Sequence, residues 1–527
     1  MRFIAPLLLI AAAVVVGMFC HTMNYLINHN ENMYITAGVL LQEQRLYHDF
    51  AFLQMPYLPM LYSALFSLSG TSYYLLTGRL TTFVFGIVAV GIVGVIGYRL
   101  SRRWLITAIV TLLFATNDMI VLVLAESSNY IMPLTCSLIA IMLAMPRQPH
   151  QSGQDAPFPS PLRLFFSGVV LAIAVGTKLY YAVLFAPVVL VMCIFLRRRP
   201  LRERVVRGAG VVLLGGVVGL LPIFVFLLAS PDHMLFNNVG YHEVNRLWRD
   251  ATNAPYPQTL LEKLVHVGYT IKLFPSTVIL LMVVVVIGAA ARRVWRVWKG
   301  NDTPLSMEVW LIVGVLAVTT MTAFVPTPMF FQYFALPMPF LLLALASQEL
   351  FPFGENGKDS KDDHPHHTPS SPPPVTLQQY LEDMLRPRMV RVLIIFLVPS
   401  LISGGTLLFR HCNDLFVPSR WQGMIVHRIA EEVEASLPPT SDTPLVATLA
   451  PAFVIEADVA IYPELATGPF LYRVGDMLSA EERARYVGTS QETIATLLDS
   501  RPPDGILVGI ENEQYLDDPL RHYAQAH

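Results

Sequence analysis

The chain is expected to be an α-helical polytopic membrane protein of about eleven spans with a small C-terminal α/β domain, and three observations support this. Apolar stretches recur about every thirty residues between Phe3 and Phe340, each near the roughly 20 residues that cross a bilayer. The arginines gather at alternate junctions between these stretches. The composition is 54% hydrophobic and 14% charged, with mean hydropathy +0.52, too apolar for a soluble chain of 527 residues.

The elements follow from charge placement. If Arg2 is cytoplasmic, the clusters Arg99/Arg102/Arg103, Arg197 to Arg207, Arg292/Arg293/Arg296/Lys299 and Arg386/Arg388/Arg391 must return to that side. Spans near 3–22, 73–98, 104–124, 130–145, 164–177, 179–196, 209–229, 274–291, 308–325, 333–348 and 389–409 satisfy this. The stretch 165–196 is read as two crossings that turn at Thr177-Lys178, because a single crossing inverts every later arginine cluster. The opening apolar run is read as an uncleaved first helix rather than a secretory signal.

This arrangement divides the chain. Residues 1–350 form the membrane domain, with outer loops 23–72 and 231–273; the segment Tyr57 to Ser69 is too short to span and reads as an interfacial helix. Residues 351–388 are a cytoplasmic linker, disordered by composition, whose His364, His366 and His367 read as linker rather than metal ligands. A last span at 389–409 leads to an extracytoplasmic α/β domain over 410–527. Its strand signals are Leu445 to Leu449 and Gly505 to Val508, and its helix signals Ala480 to Tyr486 and Gln491 to Leu498. It contains no GxGxxG, P-loop or nucleophile elbow. The net charge of -2 gives no support for a nucleic-acid partner, and Cys20, Cys136, Cys193 and Cys412 form neither a disulfide framework nor a zinc motif.

Chemistry must then reside in the loops. The first carries Glu31 and Asp49 on either side of a surface helix, although Asn30 as a cap with Glu31 in the first turn, and Asp49 as a turn residue, account for both acids without function. The second, Asn237 to Arg249, interleaves aromatics with polar groups in a way that suits sugars. An amphipathic interfacial helix fits it equally well.

The order of several motifs resembles the GT-C superfamily of membrane glycosyltransferases, which includes protein O-mannosyltransferases, lipid A aminoarabinose transferases and rhizobial lipopolysaccharide transferases. The motifs are Glu31 followed by Tyr34, Arg45-Leu46-Tyr47-His48-Asp49, Met55-Pro56-Tyr57-Leu58-Pro59, a helix from Gly168 ending in Thr177-Lys178, and Gln332-Tyr333 within a Pro-rich late turn. There are departures. Relatives often carry Asp-Glu at Asn30-Glu31, Lys-Pro-Pro at Gln54-Met55-Pro56, and Asp near Glu126.

The resemblance implies an inverting transfer of a sugar from a polyprenyl-phosphate donor to a lipopolysaccharide, lipid, glycan or protein acceptor, on the outer face of the cytoplasmic membrane. It implies Glu31 as base and Asp49 as second acid, with Lys178, Arg79 and His242 facing the phosphate. Tyr34, Gln54, Glu126, Asn129, Glu243, Gln332 and Tyr333 complete the implied substrate-binding set. No cofactor is expected; a divalent metal is not favoured, since no second acid adjoins Glu31. Two other classes stand beside this reading: a transporter or flippase of lipid-linked sugars, and a non-catalytic glycan-binding scaffold.

Overall fold

The computed structural model of the chain describes residues 4–146, 158–195, 200–252, 256–351, 388–438, 443–511 and 513–527. The expected linker, its three histidines and Arg197 to Arg199 lie outside the described residues.

Each stretch expected to span is helical. The first part of the chain runs α1 (Ile4–Asn24), α2 (His29–Leu40), α3 (Tyr57–Ser69), α4 (Tyr74–Ser101), α5 (Trp104–Thr116), α6 (Asp118–Leu124), α7 (Ile131–Ala144), α8 (Pro161–Thr177) and α9 (Phe185–Phe195). Among the described residues four helices are long and apolar enough to cross a membrane, or up to six if each bent pair is one span. They are Tyr74–Ser101, Val205–Ala229, Pro275–Trp298 and Met389–Asp414, and the bent pairs are Leu8–Asn24 with His29–Leu40 and α5 with α6. The chain is therefore a multi-pass membrane protein. Shorter apolar helices occupy the other expected positions, including α7, α8 and Met307–Ala323.

The expected single span at 104–124 is broken. α5 and α6 meet at 54°, where Asn117 takes an extended conformation and its side chain accepts the Met119 N–H. The exposed backbone is satisfied internally, as an apolar medium demands. Buried Asp118 accepts from Ser276 N at 2.9 Å and from Ser403 Oγ at 2.7 Å, and Thr116 meets Ser400 at 2.8 Å. One carboxylate thereby pins α6 to two other helical breaks.

α8 lies backbone to backbone on Gly210–Ala229. A Cβ on Gly168 would stand 2.0 Å from the Val212 carbonyl oxygen, and one on Gly215 would stand 2.0 Å from that of Phe165. Only glycine permits this approach, the small-residue packing by which membrane helices associate. Alanine at Gly168 would force the pair apart and displace Lys178 at the end of α8.

After the last long helix the chain forms three short strands, β1 (Leu445–Thr448), β2 (Ala460–Ile461) and β3 (Gly505–Leu507), which make an all-parallel sheet in the order β2-β1-β3. β1 and β3 fall at the expected strand signals, as do helices Ala480–Arg485 and Ile494–Ser500 at the helix signals. The two-residue β2 is too short to leave a periodic signature. This region sits on α2, on the start of α4 and on the 231–273 loop. Ala452 N donates to Asn32 Oδ1 at 3.3 Å, Leu75 N to Glu456 Oε1 at 2.6 Å, and Tyr486 stacks on Phe236 at 3.7 Å.

Candidate functional site

The site is assembled from the start of α2. Asn28, in extended conformation, caps this helix by accepting from Asn30 N and Glu31 N. The cap therefore lies two residues before the expected Asn30. Relieved of capping, the Asn30 side chain reaches across to the 126–130 segment, where its Nδ2 donates to Glu126 Oε2 at 3.4 Å.

Glu31 turns inward. Arg79 of α4 grips it with two bonds, Nε to Oε1 at 3.0 Å and Nη2 to Oε2 at 2.7 Å, and Ser127 N adds a third at 2.9 Å. Arg79 Nη1 donates to the carbonyls of Thr22, Met23 and Tyr25 at 3.1, 3.2 and 2.6 Å. Both side chains are 0% exposed. In the structure the Arg79 bonds run to Glu31 and to three backbone carbonyls, and the Glu31 oxygens accept from Arg79 and from Ser127. Removing either partner would strand a buried charge at a cost of about 3–5 kcal/mol.

What Glu31 does is hold the 126–130 segment. With Ser127 N fixed on Glu31, Glu126 is presented beside Asn30, and Asn129 extends the other way. Asn129 Nδ2 donates to Gln54 Oε1 at 2.9 Å, and its Oδ1 accepts from Lys178 Nζ at 2.9 Å. Lys178 caps the C-terminus of α8 in an extended conformation, so its side chain leaves the helix instead of continuing along it. Its ammonium stands 3.3 Å from the centre of the Tyr130 ring, 5.3 Å from Tyr180 and 5.8 Å from Tyr333. Among the described residues no carboxylate lies within 4 Å of it.

Among the described residues this lysine is held by one amide and aromatic faces, without a carboxylate partner. Burial pushes its pKa well below the usual lysine range, a shift that the charge of Glu126 opposes. Glu126 is itself buried, and its carboxyl is pushed up to about 7, first by burial and then by the Glu31 charge. Asn30 and Asn28 face it; no lysine or arginine pairs with it among the described residues. The arrangement can therefore bind an anionic group at Lys178 and exchange a proton at Glu126.

The remaining expected residues divide. Tyr34 is buried on Phe52 beside Asn129, and Tyr333 joins the ring wall around Lys178. His242 is exposed on the helix Tyr241–Ala251; surrounding protein and then the Lys178 charge push its pKa down. Gln332 keeps a buried Oε1 with no donor. Glu243 points elsewhere, paired with Arg246 on the exposed face of its helix. Asp49, the expected second acid, lies in a surface turn where Arg45 Nη2 donates to it at 2.9 Å and His48 stands 2.7 Å away. The Arg45 hydrogen bonds hold its carboxyl well below the usual range.

Sequence reasoning missed Asn28, Tyr130 and Tyr180. The signal for the tyrosines was present, since each stands within two residues of one already singled out. Among the described residues no group of three His, Cys, Asp or Glu side chains converges as a metal site.

No family model matches the chain, and no curated protein matches it at a significant level. Solved structures do. ArnT from Cupriavidus metallidurans bound to undecaprenyl phosphate matches with TM-score 0.54 and 12% identity, over 93% of this chain and 90% of that one. The apo state of the same protein matches with TM-score 0.53 over the same shares. An oligosaccharyltransferase from Archaeoglobus fulgidus, in complex with zinc and sulfate, gives TM-score 0.42 and 11% identity over 85% and 61%. The chain thus shares its overall fold with ArnT.

Proposed function

We propose that the protein is an inverting glycosyltransferase that moves a sugar from a polyprenyl phosphate to an acceptor hydroxyl at the outer face of the cytoplasmic membrane. One observation supports this above the others: a buried Lys178, without a carboxylate partner among the described residues, within electrostatic reach of a buried Glu126. The fold is shared with a protein whose structure holds undecaprenyl phosphate. On this reading the shorter apolar helices also span, giving the roughly eleven crossings expected from the arginine pattern. The sheet region then lies outside, above the 23–72 and 231–273 loops.

In the proposed reaction the phosphate of the donor sits against Lys178 and the tyrosine wall, with its tail among the apolar helices. Glu126 takes the proton of the acceptor hydroxyl as that oxygen attacks the anomeric carbon, and the sugar–phosphate bond breaks. Lys178 offsets the charge on the departing phosphate. Displacement in a single step inverts the anomeric centre. The base is assigned to Glu126 instead of Glu31 because a base needs lone pairs that face the substrate.

The test is direct. Purified protein in lipid nanodiscs, given a labelled polyprenyl-phosphate sugar and an envelope extract, should release polyprenyl phosphate and label an acceptor. An intact donor that instead crosses the bilayer would establish the flippase. Binding of glycans with no donor consumption would establish the scaffold.

A further inference from the structure

A second cluster of cations lies between the helix Tyr241–Ala251 and the helix Pro469–Val474. Arg249 and Arg473 come from these two helices and both approach the ring of Trp248, at 5.9 and 5.3 Å from its centre. Arg473 is buried; among the described residues it pairs with Glu513 at 3.5 Å and also meets the Tyr241 side chain. Arg249 has no ion-pair partner among the described residues. The Nε of each guanidinium is buried without an acceptor. Glu511, the other acid beside Arg473, is engaged by Asn32 at 3.3 Å and by His29 at 3.9 Å.

Two guanidiniums that share one ring repel each other, and two buried donors without acceptors cost free energy. An oxyanion received between them relieves both, since a planar guanidinium fork matches a carboxylate or phosphate. The surroundings supply the rest of a sugar site. Phe330 and Tyr515 are exposed, Phe330 lies 6.0 Å from the Arg249 guanidinium, and Phe470 lies 5.4 Å from that of Arg473. Exposed aromatic faces stack on the apolar side of a pyranose ring. The cluster also connects to the first site: Phe330 meets Tyr333 at 5.9 Å, and Tyr333 stands 5.8 Å from Lys178.

We propose that this cleft is an acceptor subsite for a sugar that carries an oxyanion, either a carboxylate or a phosphate monoester, with Arg249 and Arg473 binding the anion and Phe330 supporting the ring. Naming the ligand an acceptor rests on the transferase reading; the binding itself does not. The subsite gives the region after the last long helix a part in substrate choice, because Arg473 belongs to it.

The experiment measures binding to the purified full-length protein by tryptophan fluorescence, with trigalacturonate, glucose 6-phosphate, inorganic phosphate and neutral maltotriose as probes. Trigalacturonate or glucose 6-phosphate should bind saturably and weaken with salt, while maltotriose should not bind. Which of the two binds distinguishes carboxylate from phosphate. Arg249→Gln should weaken binding by roughly tenfold or more, the scale of a lost charge-assisted hydrogen bond. Arg473→Lys keeps the charge and guards against misfolding; it should also weaken binding, because the fork is lost. Arg249→Gln should still bind polyprenyl phosphate as wild type does, so failure of the donor site and failure of this subsite are read separately. Wild-type binding of the anionic sugar by Arg249→Gln, or no binding of either anionic sugar, would overturn the subsite. Inorganic phosphate binding as tightly as glucose 6-phosphate, with Phe330→Ala indifferent, would overturn the sugar.

Discussion

Two buried carboxylates stand on either side of Asn30, and their surroundings are opposite. Glu31 receives a bidentate arginine and a backbone N–H, all within 3.0 Å. Glu126 receives amide donors, that of Asn30 at 3.4 Å, while Lys178, which feels its charge, is held on an asparagine and a tyrosine ring. A carboxylate whose lone pairs are filled maintains a shape. One whose lone pairs remain open in a buried place is costly, and that cost is offset when a substrate brings the missing partner. The same contrast separates the cations: Arg79 is enclosed by carbonyls, whereas Lys178 lacks a counter-ion.

The largest effect expected from this contrast is at Glu126. Glu126→Gln keeps the size and the Asn30 contact but cannot take a proton, so transfer should fall by about 10²- to 10⁴-fold with the protein still folded and still binding donor. Near-normal rates from this variant would remove the base assignment. Next comes Lys178→Gln, for which the loss of the cation opposite the departing phosphate should cost about 10²- to 10³-fold and weaken polyprenyl-phosphate binding as well. Unchanged donor affinity would place the phosphate elsewhere.

Glu31→Gln should act in a different quantity. It strands Arg79, so thermal stability and yield should drop by the equivalent of about 3–5 kcal/mol, and whatever protein remains folded should keep much of its activity. A stable but inactive Glu31→Gln enzyme would reverse the two roles. Asp49→Asn is expected to do least: its partner Arg45 is exposed, such surface pairs contribute at most about 1 kcal/mol, and initial rates should stay near wild type. A large loss of rate would return Asp49 to the site.

Much of the fold was legible because apolar length and arginine placement are coarse signals that survive in any one sequence. The helices at 4–24, 74–101 and 389–414 fell where these signals put them. The break at Asn117 did not show, since Asp118 is a single polar residue whose partners Ser276 and Ser403 lie more than 150 residues away. The site was legible as a set and not as roles. Lys178, Asn129, Gln54 and Tyr333 lie together in the structure, whereas the different surroundings of Glu31 and Glu126 depend on Arg79 crossing to α2, a tertiary contact that no local pattern encodes. The cap moved from Asn30 to Asn28 because both are good caps and only the path of the chain chooses between them.

The most direct measurement of the central claim is the pH dependence of kcat/KM for wild type beside Glu126→Gln and Glu31→Gln. A base must be deprotonated to act, and the Glu126 carboxyl is pushed up to about 7 by burial and the neighbouring charge. Wild-type transfer should therefore rise as pH increases through about 7. That limb should persist in Glu31→Gln and vanish in the residual activity of Glu126→Gln. The same limb surviving in Glu126→Gln, or disappearing in Glu31→Gln alone, would contradict the account.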